Sequence, residues 1–388
     1  MKISRRAAYA AIISLGIVSL LGDIVYEGAR GLTPDYLNFL GASATVLGIV
    51  TGLGEFIGYG LRLLSGIFAD RTRAYWAFTF IGYGLIVAIP LLAFAGSWQI
   101  VAIFILSERL GKALRSPARD VILSVASHGV GTGKAFGIHE FLDQLGAVLG
   151  PIILFAIMFL TAGNYSIAFA FLTIPFILML FFLVKAYRSI GNISIDGKHG
   201  DKARLESNFS MYIGAVALNT LGLVPVAILL FRVSGIAQPL GQAWLVPLVY
   251  AFVQLVDAPS ALVSGHAYDK TRGKVLLLPF AISIFPTMLV MLSNNLAVLL
   301  LAAAILGLIE GMRESIYRAA VADMTPLVSR GKAYGIFHTV YAVCILFSSI
   351  IFGVFLDLGV AIPFVLAYIL VTQVFAIMLL SKSFRKIK

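Results

Sequence analysis

The stretch Gly66-Ile67-Phe68-Ala69-Asp70-Arg71-Thr72-Arg73 is a short charged run wedged between two long apolar ones. It returns 199 residues later as Gly265-His266-Ala267-Tyr268-Asp269-Lys270-Thr271-Arg272, with Gly, Asp, a base, Thr and Arg at matching places. A second echo agrees: Gly133-Lys134-Ala135-Phe136-Gly137-Ile138 recurs 198 residues later as Gly331-Lys332-Ala333-Tyr334-Gly335-Ile336. Two independent echoes at nearly one offset, about half of the 388 residues, indicate an internal duplication.

What flanks the motif sets the class. The chain is 60% hydrophobic and only 12% charged, with a mean hydropathy of +0.98. A soluble domain is nearer half apolar and a quarter charged, and one this apolar would expose aggregating patches. The apolar runs are near 20 residues long, which suits spanning helices rather than barrel strands. The sequence therefore predicts an all-α, multi-pass protein of the cell membrane. A net charge of +11 raises the question of nucleic acid. The bases sit mostly in short loops and tails, however, and no soluble basic domain exists to host such a partner. Cys344 is the single cysteine, so no intrachain disulfide can form. The first apolar run follows Lys2, Arg5 and Arg6, is too long for a signal sequence and has no small-residue cleavage site, so it reads as a retained span.

Twelve spans are expected, near 7–30, 44–65, 75–95, 99–121, 134–161, 166–186, 209–233, 241–264, 274–292, 295–322, 332–356 and 361–380. The one long polar segment, 187–208, carries Lys198, Asp201, Lys202, Arg204 and Glu206 and reads as a solvated linker. The expected domains are a six-helix bundle over 1–188, a linker over 189–208 and a second six-helix bundle over 209–388. Charge tests this layout. Loops on one side hold Arg71, Arg73, Lys134, Lys270, Arg272, Lys274, Arg330, Lys332 and the basic tail. Opposite loops at 33–42, 96–98, 162–164, 235–241 and 293–294 hold no Lys or Arg, although Arg30 and Arg232 lie just inside their spans. By the positive-inside rule, both termini and the linker are cytoplasmic.

Six plus six spans, a polar central linker, and Gly-x-x-x-Asp-Arg/Lys after the second and eighth spans resemble the major facilitator superfamily over essentially the whole chain. In that family the loop reads Gly-x-Leu-Ala-Asp-Arg-x-Gly-Arg-Lys. Gly66, Ala69, Asp70 and Arg71 match, while Arg73 stands where the second Gly is expected. In the second copy Gly265, Asp269 and Lys274 match and Gly273 arrives one place late. Gly146-Ala147-Val148-Leu149-Gly150-Pro151 is similar to the family's fifth-span motif, which is associated with exporters, and Arg109 stands near its motif arginine, with poorly fitting neighbours. The resemblance implies alternating access, two bundles rocking about a site near the bilayer midplane. It also implies that the loops at Gly66, Asp70, Arg71 and at Gly265, Asp269, Lys270 form an inner gate. Arg115 and Arg119, near the same end of the fourth span, are expected to pair with it.

Charges inside spans cost several kcal/mol unless paired or hydrated, so each is a functional candidate. Asp23, Glu27 and Arg30 recur at i, i+4, i+7 on the first span, with Tyr26 beside them; Glu55, Tyr59 and Arg62 do so on the second. Glu108, Lys112, Arg115 and Arg119 extend the pattern along the fourth, and His139, Glu140, Asp143 and Gln144 cluster on the fifth. The plainer reading is internal ion pairs or headgroup-zone charges, and it suits Arg115, Arg119 and Asp120 best. For Asp23, Glu27, Glu108, Glu140 and Asp143 we expect proton coupling, since a desolvated carboxyl holds its proton until a base is brought near. Candidate substrate contacts are Tyr26, Arg30, Glu55, Tyr59, Arg62 and Lys112 in the first half. In the second they are Asn219, Gln254, Asp257, Glu310, Arg313 and His338. Glu310, Arg313, Glu314 and Tyr317 should share a face of the tenth span, and Pro259 invites a kink after Asp257.

The expected function is proton-coupled secondary transport of a small solute by a monomer, with efflux by antiport first. Uptake of an organic anion by proton symport, using Arg62, Lys112 or Arg313, is an alternative. So is divalent-cation export through Asp23, Glu27, His139, Glu140 and Asp143, although their spacing matches no metal motif. Enzymatic action on lipid lacks a nucleophile elbow, a His-Glu-x-x-His or a phosphate loop. The expected partners are the substrate, protons and the lipid bilayer, with no cofactor, metal or nucleic acid. A receptor that has kept the fold and lost transport would be indifferent to neutralising Asp23 or Glu27.

Overall fold

A computed structural model describes residues 5–127, 131–191, 207–271, 274–325 and 330–384. The linker charges Lys198, Asp201, Lys202, Arg204 and Glu206, together with Arg272, Gly273 and the tail bases Arg385, Lys386 and Lys388, lie outside these residues. Among the described residues the chain is helical throughout, without strands. Eleven helical stretches are long and apolar enough to cross a membrane: Tyr9–Phe39, Ala44–Thr72, Tyr75–Phe94, Lys134–Leu160, Tyr165–Ile190, Asn208–Leu240, Leu245–Thr271, Lys274–Leu292, Leu296–Asp323, Lys332–Asp357 and Ile362–Ser383. The twelfth, Trp98–Ser127, is a 30-residue helix in the fourth place. Its six charges between Glu108 and Asp120 hide it from a hydropathy criterion. Large apolar side chains such as Phe94 (83% exposed) and Leu160 (80%) face outward, as they do where lipid is the solvent.

Local chemistry sets the helix ends. Ser43, Asn164 and Asn295 are N-caps whose side chains accept from the backbone N–H of Val46, Ile167 and Ala297. Gly41, Gly163 and Gly241 supply positive φ at the intervening turns. The first helix, Arg5–Phe39, runs nine residues beyond its expected end at residue 30 and passes through Pro34. Polar residues there are satisfied by protein instead of water. Thr33 donates to the Ala29 carbonyl, Tyr36 donates to the Ala95 carbonyl at 2.5 Å, and Asp35 accepts from the Tyr165 hydroxyl at 2.6 Å. A segment that reads as a wet loop is therefore packed helix. The second and tenth spans each contain a widened π turn, at Phe56–Gly60 and Arg313–Tyr317. The eighth continues as one helix through Pro259.

The chain forms two compact units. The first comprises Met1–Leu40, Ile57–Gly197 and Gly241–Ala251; the second comprises Gly41–Phe56, Lys198–Leu240 and Phe252–Lys388. Each thus draws on one half of the sequence and takes half a helix from the other. Glycines govern the close approaches inside each unit. In the first, a Cβ at Gly150 would lie 2.8 Å from the Gly28 nitrogen, and one at Gly111 would lie 2.6 Å from the Gly82 carbonyl oxygen. In the second, Gly52 packs on Leu346 and Gly307 on Val253.

Candidate functional site

The fifth span lies so close along the first that a Cβ on Gly146 would sit 2.8 Å from the Cβ of Asp23. That approach sets Asp143, one turn earlier on the fifth span, against Asp23. The two carboxyls are near enough to share a hydrogen bond. Asp23 is 3% exposed, and its Oδ1 has no hydrogen-bond partner. Asp143 accepts from the Ser19 hydroxyl. Arg119 donates to Ser19 at 3.3 Å and pairs with Asp120 at 2.9 Å. The buried Asp23 thus meets the half-buried Asp143 in the first unit, beside one arginine, Arg119, that pairs with Asp120 and also acts on Asp143.

One turn along the first span, Glu27 (5% exposed) has the opposite surroundings. Arg30 lies 3.2 Å from it, Lys112 3.8 Å, and the Tyr250 hydroxyl donates to it at 2.6 Å. Arg109 also acts on it electrostatically, so three bases attend one acid. Glu108, 2% exposed, is held by Arg115 at 3.0 Å and Arg109 at 3.6 Å. Lys112 and Arg115 both lie over the Tyr26 ring, at 4.7 and 5.0 Å. Arg62 lies 4.4 Å over Tyr59 and donates to the Gly58 carbonyl inside the π turn. Glu55 belongs to the second unit and is half-buried there. The widened turn separates it from Tyr59 and Arg62, so their i, i+4, i+7 register is broken by an extra residue.

In the second unit, Asn219 is enclosed by amide and hydroxyl groups. Its Nδ2 donates to Gln373 at 2.8 Å, its Oδ1 accepts from Tyr317 at 3.0 Å, and Gln373 returns a bond to its carbonyl. Arg313 grips Glu310 through both oxygens and lies 4.7 Å over Tyr341. Tyr317 points to Asn219, so the π turn places it and Arg313 toward different neighbours. Asp257 is buried where the eighth span meets Gly311 of the tenth, Gln254 is half-buried, and His338 stacks on Tyr334 and meets Phe337 edge-on.

The two repeat motifs, expected as loops, are the last turns of the helices Arg62–Thr72 and Leu245–Thr271, and their glycines pack on the fourth and tenth spans. A Cβ on Gly66 would meet Pro117 at 3.5 Å and one on Gly265 would meet Ser315 at 2.8 Å. Asp70 is exposed and accepts from Tyr75 at 2.9 Å; Arg71, Asp269 and Lys270 are exposed. Arg115 is buried with Glu108 and is thereby placed among the interior charges, away from this surface. Glu140 is exposed, unlike Asp143. Among the described residues no group of three or more His, Cys, Asp or Glu is arranged to hold a metal ion. Sequence reasoning missed Ser19, Tyr250 and Gln373. Ser19 was within reach, because it extends the Asp23–Glu27 stripe one turn backward. Tyr250 gave no local signal, lying 223 residues from the acid it serves.

No family model matches the chain. An uncharacterised protein of Mycobacterium tuberculosis and one of Mycobacterium bovis are each 36% identical to it over 345 residues, covering 85% of this chain and 83% of theirs. An uncharacterised MFS-type transporter of Methanocaldococcus jannaschii is 27% identical over 346 residues, covering 87% and 86%. Among solved structures, a nucleoside transporter aligns with TM-score 0.76 at 12% identity, covering 97% of this chain and 100% of its own. A peptide transporter aligns with TM-score 0.77 at 14% identity, covering 99% of both.

Proposed function

We propose that the chain is a proton-coupled secondary transporter of the major facilitator superfamily, exporting a small solute by antiport, a reading supported by a 27% identical MFS-type relative and by the fold it shares with solved transporters. The halves 1–188 and 209–388, joined by the linker 189–208, are the bundles that move in alternating access, with both termini cytoplasmic. One observation carries the proton coupling: Asp23 and Asp143 face each other in the interior, and one oxygen of Asp23 lacks a donor. Two carboxylates in contact repel, and a buried ionised oxygen without a donor is costly. A single proton held between them removes both penalties. Glu27, tied to Arg30, Lys112 and Tyr250, serves as the ionised acid that senses the substrate. Export direction rests on the resemblance of Gly146–Pro151 to the exporter motif.

The second reading is uptake of an organic anion by proton symport. It is favoured by the surplus of base around Glu27, where Arg30, Arg109 and Lys112 outnumber it and Arg62 also acts on Lys112. Purified protein in proteoliposomes, with a pH gradient of either sign and a panel of nucleosides, short peptides, organic acids and drugs, separates the two. Antiport drives solute against the proton flow and symport with it. Asp23→Asn should abolish gradient-driven flux while sparing solute exchange at equal pH. Undiminished gradient-driven flux in Asp23→Asn would sink the proton site.

A further inference from the structure

His139 is 3% exposed, yet neither ring nitrogen has a hydrogen-bond partner. A neutral imidazole presents one donor and one acceptor. Leaving each buried and unmade costs about 1–3 kcal/mol, so a ring in this condition needs an explanation. Its position supplies one. Asp143 lies four residues ahead on the same helix, where side chains stack on one face. From the fourth span, Arg119 and Asp120 act on the ring. Ser19, the first-span residue that bonds both Arg119 and Asp143, carries no charge. The Asp120 side chain is 49% exposed, whereas Asp143 leads on to the buried Asp23. A half-exposed acid on one span and Asp143 on its own span thus both act on a buried imidazole whose two nitrogens are unmade, and Asp143 in turn bonds the buried Asp23.

We propose that His139 is the proton relay between solvent at Asp120 and the Asp23–Asp143 pair. The inference rests on the proton-site reading above. In one direction, one ring nitrogen accepts a proton from the Asp120 side, directly or through a water, and an imidazolium forms. The other nitrogen then gives up its proton to the Asp143 carboxylate. The ring ends neutral in the opposite tautomer, and rotation or the reverse transfer restores it. One proton enters and one leaves. His139 acts through the acid pair and is a positioning and relay residue, not the site of coupling itself.

The experiment uses full-length purified protein and protons alone, with no need for the solute. After a rapid pH step, the infrared carbonyl stretch of protonated carboxyl groups is followed in time. Asp23→Asn identifies the component belonging to the pair. In His139→Gln the final amplitude of that component should match the wild type while its rise slows roughly a hundredfold, the low end of what a positioned acid–base group contributes. His139→Ala should be slow as well and should recover when free imidazole is added, a rescue that a packing role would not give. Wild-type kinetics in His139→Gln, or no recovery of His139→Ala with imidazole, would overturn the relay. A wild-type spectrum without any component sensitive to Asp23→Asn would instead remove the proton site on which the relay depends.

Discussion

Arg73 closes the helix Arg62–Thr72 in the left-handed region, at φ 56° and ψ 19°. A side chain there costs about 1–2 kcal/mol that glycine does not incur. The related loop motif carries Gly at this place, and the structure supplies the reason: the backbone needs positive φ to leave the helix. Arg73→Gly should therefore raise the stability of the detergent-solubilised protein by about 1 kcal/mol, seen as a higher denaturation midpoint. An unchanged or lower midpoint would mean that contacts of the arginine side chain outweigh the backbone. At this scale much was legible, because a charge in an apolar run announces itself. Asp23, Glu27, Glu108 and Asp143 could be picked out by eye. Which acid meets a base and which meets another acid could not, since that depends on how one helix is rotated against its neighbour.

Helices differ in how far their sequences betray them. The fourth span is the least apolar, yet its Glu108–Lys112–Arg115–Arg119 spacing marks a helix that no hydropathy window admits. The π turns at Phe56–Gly60 and Arg313–Tyr317 left no comparable trace, because an extra residue per turn is stabilised by what packs or bonds there, such as Arg62 on the Gly58 carbonyl. Gly146 and Gly150 stood out in the sequence only as part of a motif, and the structure adds their physical role: their close approach to the first span sets Asp143 against Asp23. Gly146→Val should force the first and fifth spans apart, lowering stability by about 1–3 kcal/mol and weakening the carboxyl pairing. Gly137→Val is the control, since Gly137 lies on the same helix and is exposed, and a Cβ there meets nothing within 4 Å. Equal denaturation midpoints for the two variants would show that the Gly146 contact does not set the spacing.

The helical class and the run of long apolar helices were legible because each is a pattern sustained over tens of residues. The exchange of half-helices between units was not, because it is decided by pairs hundreds of positions apart. Gly41–Phe56 belongs to the second unit, where the Asp357 carboxylate accepts from the backbone N–H of Ala44 and Thr45 at 2.9 and 2.8 Å. Gly241–Ala251 belongs to the first, where Tyr250 donates to Glu27. In the alternating access proposed above, both half-helices would change neighbours during the cycle, and these bonds would define one end state and break to reach the other. Asp357 caps a helix N-terminus, a contribution of about 1 kcal/mol, and its loss should shift the balance roughly fivefold away from that state. Leu47 is fully buried on this half-helix. With Cys344 replaced by Ala, Leu47→Cys should react several-fold faster with a membrane-impermeant thiol reagent when Asp357→Ala is added. Equal reactivity would mean that the Asp357 cap leaves the equilibrium untouched. The Tyr250 bond links the same motion to the acid cluster. In that scheme, withdrawing the hydroxyl would leave Glu27 to its three bases alone, so the charge balance around the proposed proton site would change as the half-helix departs.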